Sequence, residues 1–259
     1  MKVAPALLLL GMLVSPIILA GGTGGKVLMI FSNGVSVGAF AAKNNLWEYA
    51  EPHHIFVMHG FTVDFVSPRG GSVSFSLDAD ETDPPGMVHY TIKYEGFRQK
   101  ADRTLKPEQI KADDYNAVFI GGGTGTMFDV AEDARLMAIV ARVYEKGGTV
   151  GGGGHGPASL GNVKLSDGRY LVAGKRVTGF PNSSEQRSKW TQGGKLLPFR
   201  VEDRLRARGA MFVSKEDLAD KHDVVVDSRI VTAMFLPSSA AVAQEMVNLM
   251  KSGDGGEMQ

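Results

Sequence analysis

An α/β fold, with helices on both faces of a doubly wound and mostly parallel sheet, is predicted by three features of this sequence. Short apolar runs alternate with helix-patterned stretches along most of its length. Two of those runs end directly in glycine clusters, at residues 121–125 and 151–156, as strands do where a chain turns sharply toward a helix. The composition, 43% hydrophobic and 22% charged over 259 residues, suits one globular domain or at most two.

Residues 26–32 (KVLMIFS) form a continuous apolar run, the pattern of a strand buried on both faces. Residues 45–59 place Leu46, Tyr49, Ala50, Ile55 and Phe56 at helical spacing, with Pro52 as a kink and Gly60 as the stop. A second strand at 61–66 (FTVDFV), closed by Ser67-Pro68, completes a βαβ unit. Residues 67–112 read as loops, with a turn at Asp83-Pro84-Pro85-Gly86 and one short helical piece near Pro107. Then come a strand at 116–120, an amphipathic helix at 131–146 stopped by Gly147-Gly148, and a strand from 149 that runs into four glycines. Residues 169–173 and 175–179 read as a hairpin, and 197–208 as a helix stopped by Gly209. Short strands at 210–213, 223–226 and 229–232 precede a last helix at 238–251. No repeat and no linker divides these elements. Residues 23–252 are therefore expected to be one domain, with 253–259 as a disordered tail.

Lys plus Arg and Asp plus Glu both number 28, a formal balance that indicates neither nucleic acid nor an acidic membrane surface as a general partner. The chain has no cysteine, which removes disulfides, thiolate metal sites and thiol catalysis together. Residues 1–22 read as a secretory signal, with Lys2 at the start, an apolar stretch over 3–20 broken by Pro5 and Pro16, and small residues Ala20 and Gly22 at the exit. An uncleaved anchor is the alternative, because the run approaches spanning length. The prolines and the small exit favour the signal, so an exported protein, periplasmic or secreted, is expected, touching a membrane only through this segment. A lipidated form is excluded, since Gly22 stands where a lipoprotein signal needs cysteine.

In a doubly wound sheet, ligands bind beyond the carboxyl ends of strands where the strand order reverses. The cluster at Gly151–Gly156 has the strand, tight turn and helix of a nucleophile elbow, whose turn residue is strained and faces a helix N-terminus. Phosphate loops share this look. No Walker lysine follows, however, and the G-x-G-x-x-G order is absent, so no nucleotide or other cofactor is expected.

The string GGTVGGGGHGPASLGNVKLSDGRYLVAGKRVTGF resembles the elbow region of the DJ-one/PfpI (ThiJ/PfpI) superfamily, in its glyoxalase III and heat-shock-chaperone branch. GFTVDFVSPRGG at 60–71, DDYNAVFIGGGTGTMFD at 113–129 and LLPFRVEDRLRARGA at 196–210 support it, and the resemblance runs from residue 26 to about 240. It implies a flavodoxin-like, class I glutamine amidotransferase-like fold and a homodimer. It also implies chemistry on reactive carbonyls such as methylglyoxal, through a thiolate that attacks the aldehyde. Carried over residue by residue, the family's pocket glutamate falls on Glu48, its histidine on His155, and the acid that orients that histidine on Glu185. The oxyanion-type backbone N–H groups fall on Gly123 and His155. The nucleophilic cysteine falls on Gly154.

Glycine cannot attack a carbonyl, and losing a covalent nucleophile costs several powers of ten in rate. Two further departures lie close by: Thr124 stands where the family often has histidine, and Ala233–Pro237 (AMFLP) is more apolar than the family's G-x-N-P. The expected protein is a non-catalytic binder of a small carbonyl ligand or a chaperone-like protein. The alternative is an enzyme of glyoxalase, hydratase or hydrolase type that uses Glu48, His155 and an ordered water. His155 and Glu185 read first as structural hydrogen-bond partners at the elbow, since a base without a nucleophile needs a water held in its place, and Glu48 equally as a helix residue capping an emptied pocket. His53 and His54, adjacent on a helix, diverge too far to make a metal pair and form with His59 at most a surface cluster, so no metal is expected. His89 and His222 have no acidic neighbour at ligand spacing, and Met127, Met211 and Met234 read as core filler.

Overall fold

Apolar runs that end in glycine build the middle of a six-stranded sheet in the computed structural model, which describes residues 24–76, 86–214 and 223–254. The expected signal segment, His222 and residues 255–259 lie outside the described residues. The strands are β1 (Lys26–Ile30), β2 (Val35–Val37), β3 (Phe40–Ala42), β4 (Asn44–Asn45), β5 (Thr62–Val66), β6 (Phe75–Ser76), β7 (Ala117–Ile120), β8 (Thr149–Gly153), β9 (Arg176–Val177), β10 (Met211–Phe212), β11 (Val224–Asp227) and β12 (Ile230–Ala233). The helices are α1 (Trp47–Met58), α2 (Gly86–Tyr94), α3 (Phe97–Ala101), α4 (Ala134–Glu145), α5 (Pro157–Leu160), α6 (Asn182–Glu185), α7 (Val201–Ala207) and α8 (Ser239–Asp254).

The sheet order is β11-β12-β8-β7-β1-β5. All pairs are parallel except β11 with β12, which closes one edge antiparallel. Side chains alternate across it. Leu28 and Ile30 point into a core shared with α4, α5 and α7, while Val27 and Met29 point into one shared with α1, α2, α3 and α8. The predicted doubly wound sheet with helices on both faces is therefore what forms.

The glycines of β8 are required by packing on either side. A Cβ on Gly151 would lie 2.5 Å from Met246 Sδ of α8, and one on Gly152 would lie 2.3 Å from the Ile120 carbonyl oxygen of β7. Bare backbone in β8 is what lets α8 and the next strand close against it.

Several expected elements differ in detail. The hairpin at 169–179 does not form: β9 pairs in parallel with β10, and residues 171–174 are turns. Residues 67–112 contain two helices, α2 and α3, that were expected as loops. The buried residues of α2 are only Val88 and Thr91, so its apolar stripe is too thin to stand out in the sequence. Helix α7 starts at Val201 rather than 197, and α8 continues to Asp254, two residues into the expected tail.

Candidate functional site

The carboxyl ends of β7 and β8 meet the first turn of α1, and the residues singled out from sequence converge there. Gly154 follows β8 directly and adopts φ +55°, the left-handed conformation of an elbow residue. The turn is tight enough that a Cβ on Gly156 would lie 2.0 Å from the Ile120 carbonyl oxygen. Pro157 then opens α5, where its missing N–H costs nothing.

His155 is 3% exposed, and its Nε2 lies 2.9 Å from Glu185 Oε2. The other carboxylate oxygen, Oε1, accepts the Thr191 hydroxyl. Burial alone would raise the Glu185 carboxyl, but the bonds from His155 and Thr191 and the Arg200 charge together hold it below the usual carboxylate range. In the tautomer that donates Nε2–H to this carboxylate, Nδ1 is the ring nitrogen left to accept a hydrogen bond. Among the described residues, neither the His155 nor the Gly123 N–H donates to a main-chain carbonyl. Gly123 has φ +94°, and a Cβ there would lie 2.4 Å from both the Asn45 nitrogen and the Lys43 carbonyl oxygen.

Glu48 is 5% exposed in the first turn of α1, the helix end that favours a carboxylate. Asn45 Oδ1 accepts the Trp47 N–H at 3.0 Å and so helps to start that turn. The Glu48 carboxylate packs onto two glycines: a Cβ on Gly122 would lie 1.8 Å from Oε2, and one on Gly154 only 2.6 Å from it. The carboxylate thus occupies the space that a side chain at 154 would need. The neighbouring Tyr49 hydroxyl bonds to the Ile30 and Gly121 carbonyls at 2.8 and 3.1 Å. Its full burial and then the Glu48 charge raise its pKa well above the ordinary phenol value, so it stays protonated.

Sequence reasoning did not find the apolar wall of this site. Phe180 stacks on the His155 ring at 4.5 Å, Trp190 meets the same ring edge-on at 5.8 Å, and Phe235 meets Phe180 edge-on at 5.8 Å. Phe235 belongs to the string already read as unusually apolar, which was the one available signal. Trp190 lies in irregular chain with no periodicity to place it. Ser239 was also missed; its buried hydroxyl, at the start of α8, lies 3.1 Å from where a Cβ of Gly153 would be. Thr124 is buried beside the elbow.

The histidines read as a surface cluster are not one. His53 is fully buried, and its Nδ1 and that of His54 bind the two oxygens of Glu95, at 3.1 and 2.5 Å. His59 instead contacts Gln244 and Lys251 of α8. His53 lies on the interior face of α1, against Phe65 and Phe97, which the letters alone did not disclose. Among the described residues, no group of three or more His, Asp or Glu could hold a metal ion. Met127 and Met234 are core filler as expected, whereas Met211 is about half exposed.

The profile of the DJ-1/PfpI family matches residues 37–249. The chain is 29% identical over 228 residues to "Glutathione-independent glyoxalase HSP31" of Saccharomyces cerevisiae, covering 86% of this chain and 94% of that protein. It is 27% identical over 223 residues to "Glyoxalase 3" of Candida albicans, covering 84% and 91%. Among solved structures, glyoxalase III from Candida albicans superposes with a TM-score of 0.74 at 25% identity, over 87% of this chain and 97% of that one. The Francisella tularensis Rapid Encystment Protein 24 KDa superposes with a TM-score of 0.78 at 25% identity, over 87% and 99%.

Proposed function

The chain belongs to the DJ-1/PfpI family, and from that premise we propose that it binds a small carbonyl compound at the elbow without forming a covalent bond to it. The Saccharomyces cerevisiae relative is a glutathione-independent glyoxalase and the Candida albicans relative a glyoxalase. In this chain the elbow carries Gly154, and no cysteine exists elsewhere to stand in for a nucleophile. One observation carries the reading: the Glu48 carboxylate lies within 2.6 Å of the point where a Cβ at 154 would be. The nucleophile is absent, and the Glu48 carboxylate stands against the position one would occupy. The groups left over can still polarise and hold a carbonyl oxygen, through the N–H groups at Gly123 and His155. Export, proposed from the composition of residues 1–22, would put this binding outside the cytoplasm.

The test is to incubate pure protein with methylglyoxal, follow lactate and look for adducts by mass spectrometry. No lactate above the buffer rate and no adduct are expected; robust turnover refutes the proposal. A second reading is favoured by the intact His155–Glu185–Thr191 chain of hydrogen bonds. In it, His155 and Glu48 move protons to and from a water that attacks the carbonyl. It requires a bell-shaped pH–rate profile and loss of turnover in Glu48→Gln. A turnover unchanged by that substitution eliminates it.

A further inference from the structure

We propose that a second site, apart from the elbow, binds a small organic anion in a cleft between α4, α7 and the turns that follow α5. The cleft has a volume of about 420 Å³, within the range of small-molecule sites, and shares no lining residue with the elbow. One wall comes from α4, where Ala134, Met137 and Ala138 share a face at i, i+3 and i+4. The two alanines carry only a methyl group there, which keeps the cleft open. Lys164 and Tyr170 stand opposite each other across an antiparallel bridge, and Arg208 ends α7. The Arg208 Cζ lies 4.3 Å from the centre of the Tyr170 ring and the Lys164 Nζ 5.4 Å from it, so both cations gather at one aromatic ring.

These groups donate and lack acceptors. Arg208 Nη1 donates to the Tyr170 hydroxyl, whose own proton then has no acceptor among the described residues. Arg208 Nε is buried without a partner, and neither Arg208 nor Lys164 pairs with a carboxylate among the described residues. Glu132, the one carboxylate on the lining, is held by Arg204 at 2.9 Å, and the Asn162 amide bonds to the same two side chains. A donor-rich cleft with two unneutralised cations selects an anion, and a carboxylate or phosphate group suits a guanidinium beside an ammonium. The surrounding chain reinforces this choice. Residues 161–210 hold eleven Lys and Arg against four Asp and Glu, in a chain whose formal charge balances overall. The cleft is larger than a bare inorganic ion, and its α4 wall is apolar, so the anion carries a short hydrocarbon body. No bond forms or breaks in this step.

The test follows the Met137 methyl signal in full protein labelled with carbon-13 methyl methionine, assigned with Met137→Leu. The probes are hexanoate, hexyl phosphate, inorganic phosphate and 1-hexanol, at matched ionic strength. Hexanoate or hexyl phosphate is expected to shift the Met137 signal saturably, with an affinity about tenfold or more above that of hexanol. The tighter of the two names the head group. Arg208→Gln is expected to weaken that binding about tenfold and Lys164→Gln about threefold. Lys164 is exposed, so its variant keeps the test valid should Arg208→Gln unfold. Equal shifts from hexanol and hexanoate, or undiminished binding in the variants, overturn the proposal. Inorganic phosphate that binds as tightly as hexyl phosphate marks a bare-ion site and overturns it too. Backbone signals of Gly123 and Gly154 that move in place of Met137 assign the anion to the elbow, and silence from every probe leaves no second site; either result refutes it.

Discussion

At position 154, backbone conformation and space act together. A residue at φ +55° costs an L side chain about 1–3 kcal/mol, a cost glycine escapes. A Cβ there would also have to push aside the end of the buried Glu48 side chain, whose Oε2 would lie 2.6 Å from it. Gly154→Ala is therefore expected to lower unfolding free energy by about 1–3 kcal/mol, measured by urea denaturation, with the m-value unchanged. A neutral or stabilising result would mean that the elbow is not strained and that Glu48 moves freely. The five residues carried over from the family, Glu48, Gly123, Gly154, His155 and Glu185, were named from the resemblance. That the Glu48 carboxylate stands beside Gly154 was not legible in the letters, because it depends on where the first turn of α1 meets the ends of two strands.

Between elements, the joint of α1 with α2 and α3 depends on protonation. His53 lies among Phe65 and Phe97, and burial lowers its pKa from 6.5, so the folded state holds it neutral with Nδ1 facing Glu95. Burial would raise the Glu95 carboxyl, but the bonds from His53 and His54 outweigh it and keep it ionised. Lys100, whose own pKa burial lowers, also faces His53 and opposes its protonation. Above pH 6.5 the ring is neutral in both folded and unfolded chains, and its contribution to stability is fully present. As pH falls below that value the unfolded chain takes up the proton first, and stability declines through the lowered folded pKa. Glu95 adds a second loss that begins below its ordinary value of 4.5. The melting temperature is thus expected to fall on acidification. His53→Leu, which also removes a buried Nε2 with no partner, should flatten the limb between about pH 6.5 and 4.5. An unchanged slope in that variant would place the titrating group elsewhere.

For the molecule as a whole, the two apolar cores share one sheet. Neighbouring residues of β1 and of β7 feed opposite cores, as Leu28 and Met29 do, so neither layer can come apart without exposing the other. A single cooperative unfolding transition is expected, with coincident midpoints by far-ultraviolet and near-ultraviolet circular dichroism. Two separated midpoints would show that α1, α2, α3 and α8 form an independent layer. The central strands were readable because parallel strands buried on both faces leave continuous apolar runs, as β1 and β7 do. The turn-rich stretch around β9 and the thin helix α2 were misread, because pairing there is set by distant chain rather than by local pattern.

The sequence by itself determined the doubly wound fold, the glycine-lined strand ends and the absence of any thiol, while Glu48, His155 and Glu185 were named as one set only by family resemblance. The fold, the strand ends and the missing thiol follow from periodicity and composition, which are local properties of the chain. Only the tertiary structure decided what stands next to what. It turned His53 into the core, lodged the Glu48 carboxylate beside Gly154, and brought Phe180 and Trp190 against the His155 imidazole with Phe235 behind Phe180. Residues 48, 155, 190 and 235 are far apart along the chain, and their contacts arise from the closing of helices and loops over strand ends, a geometry that no local pattern encodes.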